Sequence, residues 1–236
     1  MILPQGDGIS HHANSSSMSC VMHHLQRRAI LMQRRSIDVV LDVGANKGQF
    51  GKQLRGLGYR GRIISFEPLS DAFSALSQTA SGDPMWTCHN FALGDLASLA
   101  TINVSANSHS SSLLPASARS LQIEPSIKFI RTEKIRIRRL DDLLPTIVQS
   151  DNRIFLKIDT QGYETKVIEG ARGGIERFAL IQLEVSFFPV YEGETLVGDV
   201  INLLGSLGYR IVSFEPGWED GATAELLQVD LVFAKK

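Results

Sequence analysis

The most informative stretch of the chain is Val39-Val40-Leu41-Asp42-Val43-Gly44-Ala45-Asn46-Lys47-Gly48-Gln49. A mostly apolar segment is followed by two glycines and then by a helical pattern. A buried strand, a tight glycine turn and the start of a helix are typical of the first unit of a doubly wound α/β sheet. Gly44 and Gly48 lack a Cβ, which opens the turn to close approach by a ligand. The free N–H groups of the following helix favour a ligand carboxylate or phosphate. The stretch therefore predicts a nucleotide-type pocket at the end of the first strand.

Short apolar strands alternate with helical stretches along most of the chain, which indicates a parallel sheet with crossover helices. The last two predicted strands are separated by a turn-rich segment and indicate an antiparallel terminal hairpin. Strands are predicted at 39–43, 63–66, 87–91, 154–158, 180–185, 209–214 and 226–233, and helices at 49–57, 70–80 and 164–177.

The chain of 236 residues shows no interior linker, so residues 21–236 are predicted to form a single domain. Residues 1–20 are rich in Ser, His, Asn and Gly without apolar periodicity, which predicts a disordered leader. Apolar positions in 21–33 recur at helical spacing and predict a helix before the core. Residues 98–140 break the strand–helix alternation, and we interpret them as an insertion near the ligand.

Composition narrows the class of protein. Apolar residues make up 43% and charged residues 21% of the chain, and the formal net charge is only −1, as expected of a globular protein. Basic residues cluster only at 131–139, which argues against a nucleic-acid partner and favours a small-molecule or glycan substrate. Only Cys20 and Cys88 are present and no run of 18 apolar residues occurs, so we expect a cytoplasmic protein without a transmembrane segment.

The glycine spacing discriminates between nucleotide ligands. A dinucleotide loop has glycine at its third position, where this chain has Asn46, so an NAD-linked reductase is disfavoured. Glu67 ends the second predicted strand, where an acidic side chain reaches the ribose hydroxyls of a bound ligand; the alternative is a helix-capping or solvent-exposed glutamate. Asn90 and Ala92 lie at the end of the third predicted strand, at the place expected for an adenine ring.

Charged side chains end the fourth and fifth predicted strands. Lys157 and Asp159 lie on one face of an otherwise apolar strand, and burial of such charges is costly unless they are paired or used. Glu184 ends the neighbouring strand, so Asp159 and Glu184 are expected to meet at the carboxyl edge of the sheet. The alternative is a buried ion pair with Lys157.

The sequence resembles the FkbM family of S-adenosylmethionine-dependent methyltransferases over roughly residues 38–234. This resemblance implies an α/β, Rossmann-like class I methyltransferase fold with a seven-stranded sheet in the order 3-2-1-4-5-7-6. It also implies methyl transfer to a hydroxyl oxygen, on sugars of glycolipids, polysaccharides or antibiotics, or on macrolides. The motifs that carry it are Asp42-Val43-Gly44-Ala45-Asn46 with Gly48-Gln49, Phe66-Glu67-Pro68, Asn90 with Ala92-Leu93-Gly94-Asp95, Ser111-Ser112-Leu113, Lys157-Ile158-Asp159 with Gln161-Gly162 and Glu164, and Glu184.

The expected roles follow from the strand ends and from this resemblance. Asp159 is the first candidate for the acid beside the transferred methyl group, Lys157 is its charge partner, and Glu164 or Glu184 orients the acceptor. His109, in the Ser-rich loop 105–112, is a second candidate base. The residues expected to hold the cofactor are Asp42, Gly44, Asn46, Gly48, Gln49, Glu67, Asn90 and Ala92.

Two alternatives concern the metal and the class of protein. Asp159 and Glu184 are able either to bind Mg²⁺ or to hydrogen-bond substrate, so metal dependence is undecided. A non-catalytic nucleotide-binding or scaffold domain is the alternative from another class of protein. Neither the acceptor nor the oligomeric state follows from the sequence.

Overall fold

The structure is a computed structural model that describes residues 23–236, so the predicted leader at 1–20 lies outside the described residues. Its first half contains α1 (His24–Arg34), β1 (Val39–Val43), α2 (Gln49–Gly56), β2 (Arg62–Phe66), α3 (Ser70–Ala80), β3 (Trp86–His89), β4 (Ala92–Leu93), β5 (Ser98–Ser105), α4 (Ala118–Ile123) and β6 (Phe129–Arg138). Its second half contains α5 (Leu140–Ile147), β7 (Ile154–Ile158), α6 (Glu164–Gly170), β8 (Phe178–Ser186), α7 (Val197–Ser206), β9 (Tyr209–Pro216) and β10 (Gln228–Lys235).

Seven strands form the main sheet, in the order β3-β2-β1-β7-β8-β10-β9. Strands β3, β2, β1, β7 and β8 are parallel, and β10 runs antiparallel between β8 and β9. The predicted Rossmann-like α/β fold is therefore confirmed. The strands β4 to β6 belong to a second sheet; numbered among the main-sheet strands alone, the same order is 3-2-1-4-5-7-6.

Side-chain alternation along the strands builds an apolar core on each face of the main sheet. In β1, Val39, Leu41 and Val43 pack into the cluster that contains residues of α5, α6 and α7. Val40 points to the other cluster, which contains Met32 of α1 and residues of α2 and α3. Each β1 side chain is almost fully buried, as expected of a central strand in a sheet covered on both faces.

The segment predicted as an insertion forms most of the second sheet, in the order β4-β6-β5. The apolar side chains of this sheet pack in a separate cluster at the start of α3, against Leu69, which precedes the helix, and Ala72 within it. The sheet residues of this cluster are Ile102, Val104, Ile135 and Ile137. The second sheet thereby lies beside the main sheet at the start of α3.

The helix predicted at 164–177 is wrong in its second half, because α6 ends at Gly170 and a 3₁₀ helix follows at Arg172–Arg177. Glycine is a poor helix former, and the N–H groups of Gly173 and Gly174 instead donate to the carboxylate of Asp141 at 3.1 and 3.0 Å. A contact from a distant segment therefore replaces the helical hydrogen bonds that the local sequence predicted. Between residues 23 and 236, no helix has the length and apolar character needed to cross a membrane.

Candidate active site

A cavity of about 570 Å³ opens at the carboxyl ends of β1, β2, β7 and β8. This volume is in the range of small-molecule sites. One part of its wall is apolar and is formed by Phe66, Pro68, Leu69, Ala92, Leu93 and Ile102. The predicted site residues that line it are Gly44, Asn46, Gln49, Glu67, Ala92, Lys157, Asp159 and Glu184. Four others, Asp42, Gly48, Asn90 and Glu164, do not line it.

The glycine turn is shaped by packing as well as by access to a ligand. Gly44 has φ +76°, and a Cβ built there would lie 1.8 Å from the carbonyl oxygen of Asp159. Gly48 has φ +87°, and its Cβ would meet side chains of Leu76, Thr79 and Trp86 rather than the cavity. The turn therefore needs both glycines to lie against the end of β7 on one side and against α3 on the other.

Glu67 joins the end of β2 to the glycine turn. Its carboxylate accepts the N–H of Asn46 at 2.8 Å on one oxygen and the N–H of Leu69 at 2.9 Å on the other. Burial raises the pKa of Glu67 to about 7, although these two N–H groups act to lower it. Glu67 is only 5% exposed and lines the cavity, so the solvent-exposed alternative is wrong. Its bond to Leu69 lies directly before α3, so Glu67 also contacts the N-terminus of that helix.

Asn90 does not line the cavity but is hydrogen-bonded to residues that do. Its side-chain amide donates to the backbone carbonyls of Glu67 and Pro68, at 3.0 Å each. Ala92 lines the cavity beside these residues. The segment after β3 therefore contributes one wall residue and one residue that holds the end of β2 in place.

Lys157 is buried between two carboxylates. Its ammonium lies 3.5 Å from Asp42 and 3.2 Å from Asp159. Burial acts to lower the pKa of Lys157, but the carboxylates of Asp159 and Asp42 outweigh it and raise the pKa, so Lys157 stays charged. Asp42 is fully buried and also accepts the hydroxyl of Ser65 at 3.3 Å. Asp42 thus reaches the cavity only through Lys157, which it holds against Asp159.

Asp159 and Glu184 are joined through Gln161. The side-chain amide of Gln161 donates to Asp159 at 2.8 Å and to Glu184 at 2.6 Å. The hydroxyl of Tyr191 donates to the carbonyl oxygen of the same amide at 2.8 Å, which fixes its orientation. Burial and the neighbouring carboxylates of Asp159 and Asp230 raise the pKa of Glu184 well above its ordinary value. Among residues 23–236, no group of three or more His, Cys, Asp or Glu side chains is placed to hold a metal ion.

Glu164 holds the loop between β7 and α6. One of its carboxylate oxygens accepts the N–H groups of Thr160 at 2.8 Å and Gly162 at 3.2 Å, together with the Thr160 hydroxyl at 3.2 Å. Burial raises its pKa to about 7. Since Gln161 lies between these donors in the chain, Glu164 positions the residue that joins Asp159 to Glu184.

Several cavity residues were not predicted from sequence. Gln182, Asp230 and Glu215 project from β8, β10 and β9 and line the cavity together with Arg28 of α1. Arg28 forms a buried ion pair with Glu215, with its Nε donating at 3.1 Å. The clearest sequence signal was a charged residue between apolar neighbours, as in Val229-Asp230-Leu231. The other candidate base, His109, also lines the cavity, in a loop held by the bond from the Asn46 side chain to the Ser108 carbonyl.

Solved structures share this fold. An rRNA methylase from Streptococcus thermophilus aligns over 92% of this chain and 99% of its own length, with a TM-score of 0.50 and 9% identity. The methyltransferase domain of METTL16 aligns over 90% of this chain and 66% of its own, with a TM-score of 0.51 and 9% identity. These likenesses show that the chain has the fold of Rossmann-like methyltransferases.

The sequence comparison gives the family within that class. The model of the methyltransferase FkbM domain matches residues 42–211, which is most of the chain. The protein therefore belongs to the FkbM family of S-adenosylmethionine-dependent methyltransferases, and the resemblance seen in its motifs is confirmed. No curated protein matches the chain.

Proposed function

We propose that this protein transfers the methyl group of S-adenosylmethionine to a hydroxyl oxygen of a small-molecule or glycan acceptor. The observation that carries the proposal is the position of Asp159. Its carboxylate lies in the cavity beside the glycine turn, paired with Lys157 at 3.2 Å and oriented by Gln161 at 2.8 Å. A carboxylate fixed from two sides is suited to receive a proton from a hydroxyl held at the same point.

The cavity fits the proposed cofactor. Glu67, Asn46 and Gln49 offer hydrogen-bonding groups for a ribose at the ends of β1 and β2, and Phe66, Leu69, Ala92 and Leu93 offer an apolar wall for an adenine ring. We assign Gly44 to the same site because its backbone lines the cavity. Asp42, Gly48 and Asn90 support it indirectly, through Lys157, α3 and the end of β2.

When bound, the cofactor supplies a methyl group on a positively charged sulfur. The acceptor oxygen forms the new bond to the methyl carbon as the carbon–sulfur bond breaks, and the hydroxyl proton passes to the carboxylate of Asp159. The ion pair with Lys157, 3.2 Å long, holds the Asp159 carboxylate in place before the transfer. Gln161 and Glu184 form the neighbouring wall and orient the acceptor, so positioning supplies much of the rate enhancement.

The charges of the cavity support an acceptor other than nucleic acid. Its wall includes five carboxyl side chains, those of Glu67, Asp159, Glu184, Glu215 and Asp230, the Arg28 guanidinium, the Lys157 ammonium and the imidazoles of His24 and His109. Arg28 and Lys157 are both paired with carboxylates. Nucleic-acid sites depend on basic side chains that neutralise phosphates, so a polyanion is a poor match for this wall.

We also propose a cytoplasmic location. The support is the cysteine content, since Cys88 is free and the chain has only one other cysteine, Cys20, outside the described residues. Disulfides are rare in reducing compartments.

The test is calorimetric titration with S-adenosylhomocysteine, followed by transfer of a labelled methyl group to a panel of hydroxylated glycans, to secondary metabolites and to RNA. Micromolar binding of S-adenosylhomocysteine and labelling of a non-nucleic-acid hydroxyl are expected. Labelling of RNA alone would contradict the acceptor class. Absence of cofactor binding by folded protein, with binding of NAD instead, would restore the reductase alternative. Cofactor binding without transfer to any class would support the scaffold alternative.

A further inference from the structure

Three carboxylates form a row across the last three strands of the main sheet. Glu184 of β8 is in register with Asp230 of β10, and Asp230 is in register with Glu215 of β9. All three line the cavity. Like charges directly opposite each other in a sheet are destabilising, so this row requires compensation.

Among residues 23–236, only one end of the row, Glu215, forms a salt bridge with a basic side chain. Arg28 pairs with Glu215 through two nitrogens. Lys157 lies within salt-bridge distance of Asp42 and Asp159 instead. Between residues 23 and 236, no basic side chain forms a salt bridge with Glu184 or Asp230. Glu184 accepts hydrogen bonds from the neutral side-chain amides of Gln161 and Gln228, at 2.6 and 3.3 Å. Burial raises the pKa of Asp230 to about 6, although the side chain of Gln182 acts to lower it.

A second, independent feature at the same place also indicates a ligand. The side-chain carbonyl oxygen of Gln182 is buried and has no hydrogen-bond partner. Gln182 is 1% exposed and lines the cavity. An unpaired buried acceptor costs free energy unless a ligand supplies the donor.

We propose that Glu184, Asp230 and Gln182 bind a protonated amine on the acceptor, such as that of an amino sugar. An ammonium group donates three hydrogen bonds and carries one positive charge. The two carboxylates and the unpartnered amide oxygen offer three acceptors, and among the described residues neither carboxylate forms a salt bridge with a basic side chain. This inference rests on the proposed function, since it names the class of acceptor for the same site.

The position of the row agrees with a bound acceptor rather than with the cofactor. Neighbouring strands are about 4.8 Å apart, and β8 and β10 follow β7 on the side away from the glycine turn. The amine site is therefore one to two strands beyond Asp159. The amine and the methylated hydroxyl belong to the same sugar unit or to adjacent ones.

The experiment compares glucosamine, N-acetylglucosamine and glucose in calorimetric titrations at neutral pH. The proteins are the wild type, Asp230→Asn, Gln182→Met and the control Asp151→Asn, which removes an exposed carboxylate before β7. Thermal unfolding establishes that each variant folds. If Asp230→Asn does not fold, Gln182→Met still tests the proposal. S-adenosylhomocysteine is titrated into the same preparations, which tests the proposed function separately.

The wild type and Asp151→Asn are expected to bind glucosamine about tenfold more tightly than the two neutral sugars. The neutral sugars have no ammonium group, and a missing charge-assisted hydrogen bond weakens binding by about this factor. This preference should fall below about twofold in Asp230→Asn and Gln182→Met. Equal binding of the three sugars, no binding of any, or a preference that survives both substitutions would overturn the amine site. Binding of Mg²⁺ alone that Asp230→Asn abolishes would overturn it too, by making the row a metal site.

Discussion

Glu67 and Asn46 are joined by a hydrogen bond from the backbone N–H of Asn46 to the Glu67 carboxylate, 2.8 Å long. This bond fixes the glycine turn after β1 to the end of β2, and the other Glu67 oxygen is bonded to the N–H of Leu69. One buried side chain therefore sets the relative position of two strand ends that line the cavity.

Replacing Glu67 with alanine should weaken S-adenosylhomocysteine binding by about tenfold or more, since it removes an acceptor and leaves two N–H groups unpaired. Glu67→Gln retains one carbonyl oxygen and should lie between alanine and the wild type. Titration calorimetry measures both, with Asp151→Asn as the control for loss of a remote carboxylate. Wild-type affinity in folded Glu67→Ala would remove Glu67 from the cofactor site.

Gly44→Ala should destabilise the protein by more than about 2 kcal/mol, because the new Cβ meets a backbone carbonyl and φ is positive. Gly56→Ala is the matched control, since nothing lies within 4 Å of a Cβ there, and it should be neutral or slightly stabilising. Urea unfolding of both variants gives the comparison. Equal stability of the two variants would contradict the close approach of the turn to Asp159.

The strand ends that carry Asp42, Glu67 and Asp159 could be predicted because each signal is local. A β-branched run, a glycine turn and a polar residue at the boundary are adjacent in sequence, and parallel strands bring their carboxyl ends to one edge. The two glycines were also identified from the same stretch. Their tightest contacts, with Asp159 and α3, involve segments far away in the chain and required the structure.

The part of the cavity wall formed by β8, β9, β10 and α1 could not be derived in this way. The pairing of Asp230 with Glu184 depends on the antiparallel register of β10 and β8, and the pairing of Arg28 with Glu215 joins the first helix to the ninth strand. Register between distant segments is set by packing of the whole sheet. Asp230 was visible in the sequence only as one charged residue within an apolar strand.

Two substitutions of Glu164 should distinguish the effect of its hydrogen bonds from the effect of its charge. Its contacts use one oxygen, which Glu164→Gln retains, whereas Glu164→Ala leaves the N–H groups of Thr160 and Gly162 unpaired. The glutamine variant should therefore fold and transfer methyl groups at near the wild-type rate, and the alanine variant should lose stability by about 1–3 kcal/mol. Urea unfolding and labelled methyl transfer give the two readouts, and equally impaired variants would contradict this role.

The raised pKa of Glu164 also predicts that folding stability depends on pH, and Glu164→Gln tests this. The pKa of Glu164 is raised from 4.5 to about 7 by burial, so the folded state binds more protons than the unfolded state between these values. Its contribution to folding stability is then greatest below pH 4.5 and falls as pH rises towards 7. Relative to the wild type, Glu164→Gln should gain roughly 1–3 kcal/mol of stability across this range. Urea unfolding of both proteins from pH 4.5 to 7.5 measures the difference, and parallel curves would show that Glu164 titrates normally.

Metal dependence can be predicted from the position of Gln161. Its amide nitrogen donates to Asp159 and to Glu184 at 2.8 and 2.6 Å, so a hydrogen-bond donor occupies the space between the two carboxylates that a bridging Mg²⁺ would need. Methyl transfer should therefore persist after dialysis against EDTA and should not rise when Mg²⁺ is restored. Gln161→Glu replaces the donor with a third carboxylate, and this variant should lose most of its activity without Mg²⁺ and bind Mg²⁺ more tightly than the wild type. Loss of wild-type activity in EDTA, with full recovery on adding Mg²⁺, would instead assign Asp159 and Glu184 to a metal site and require Gln161 to move when the ion binds.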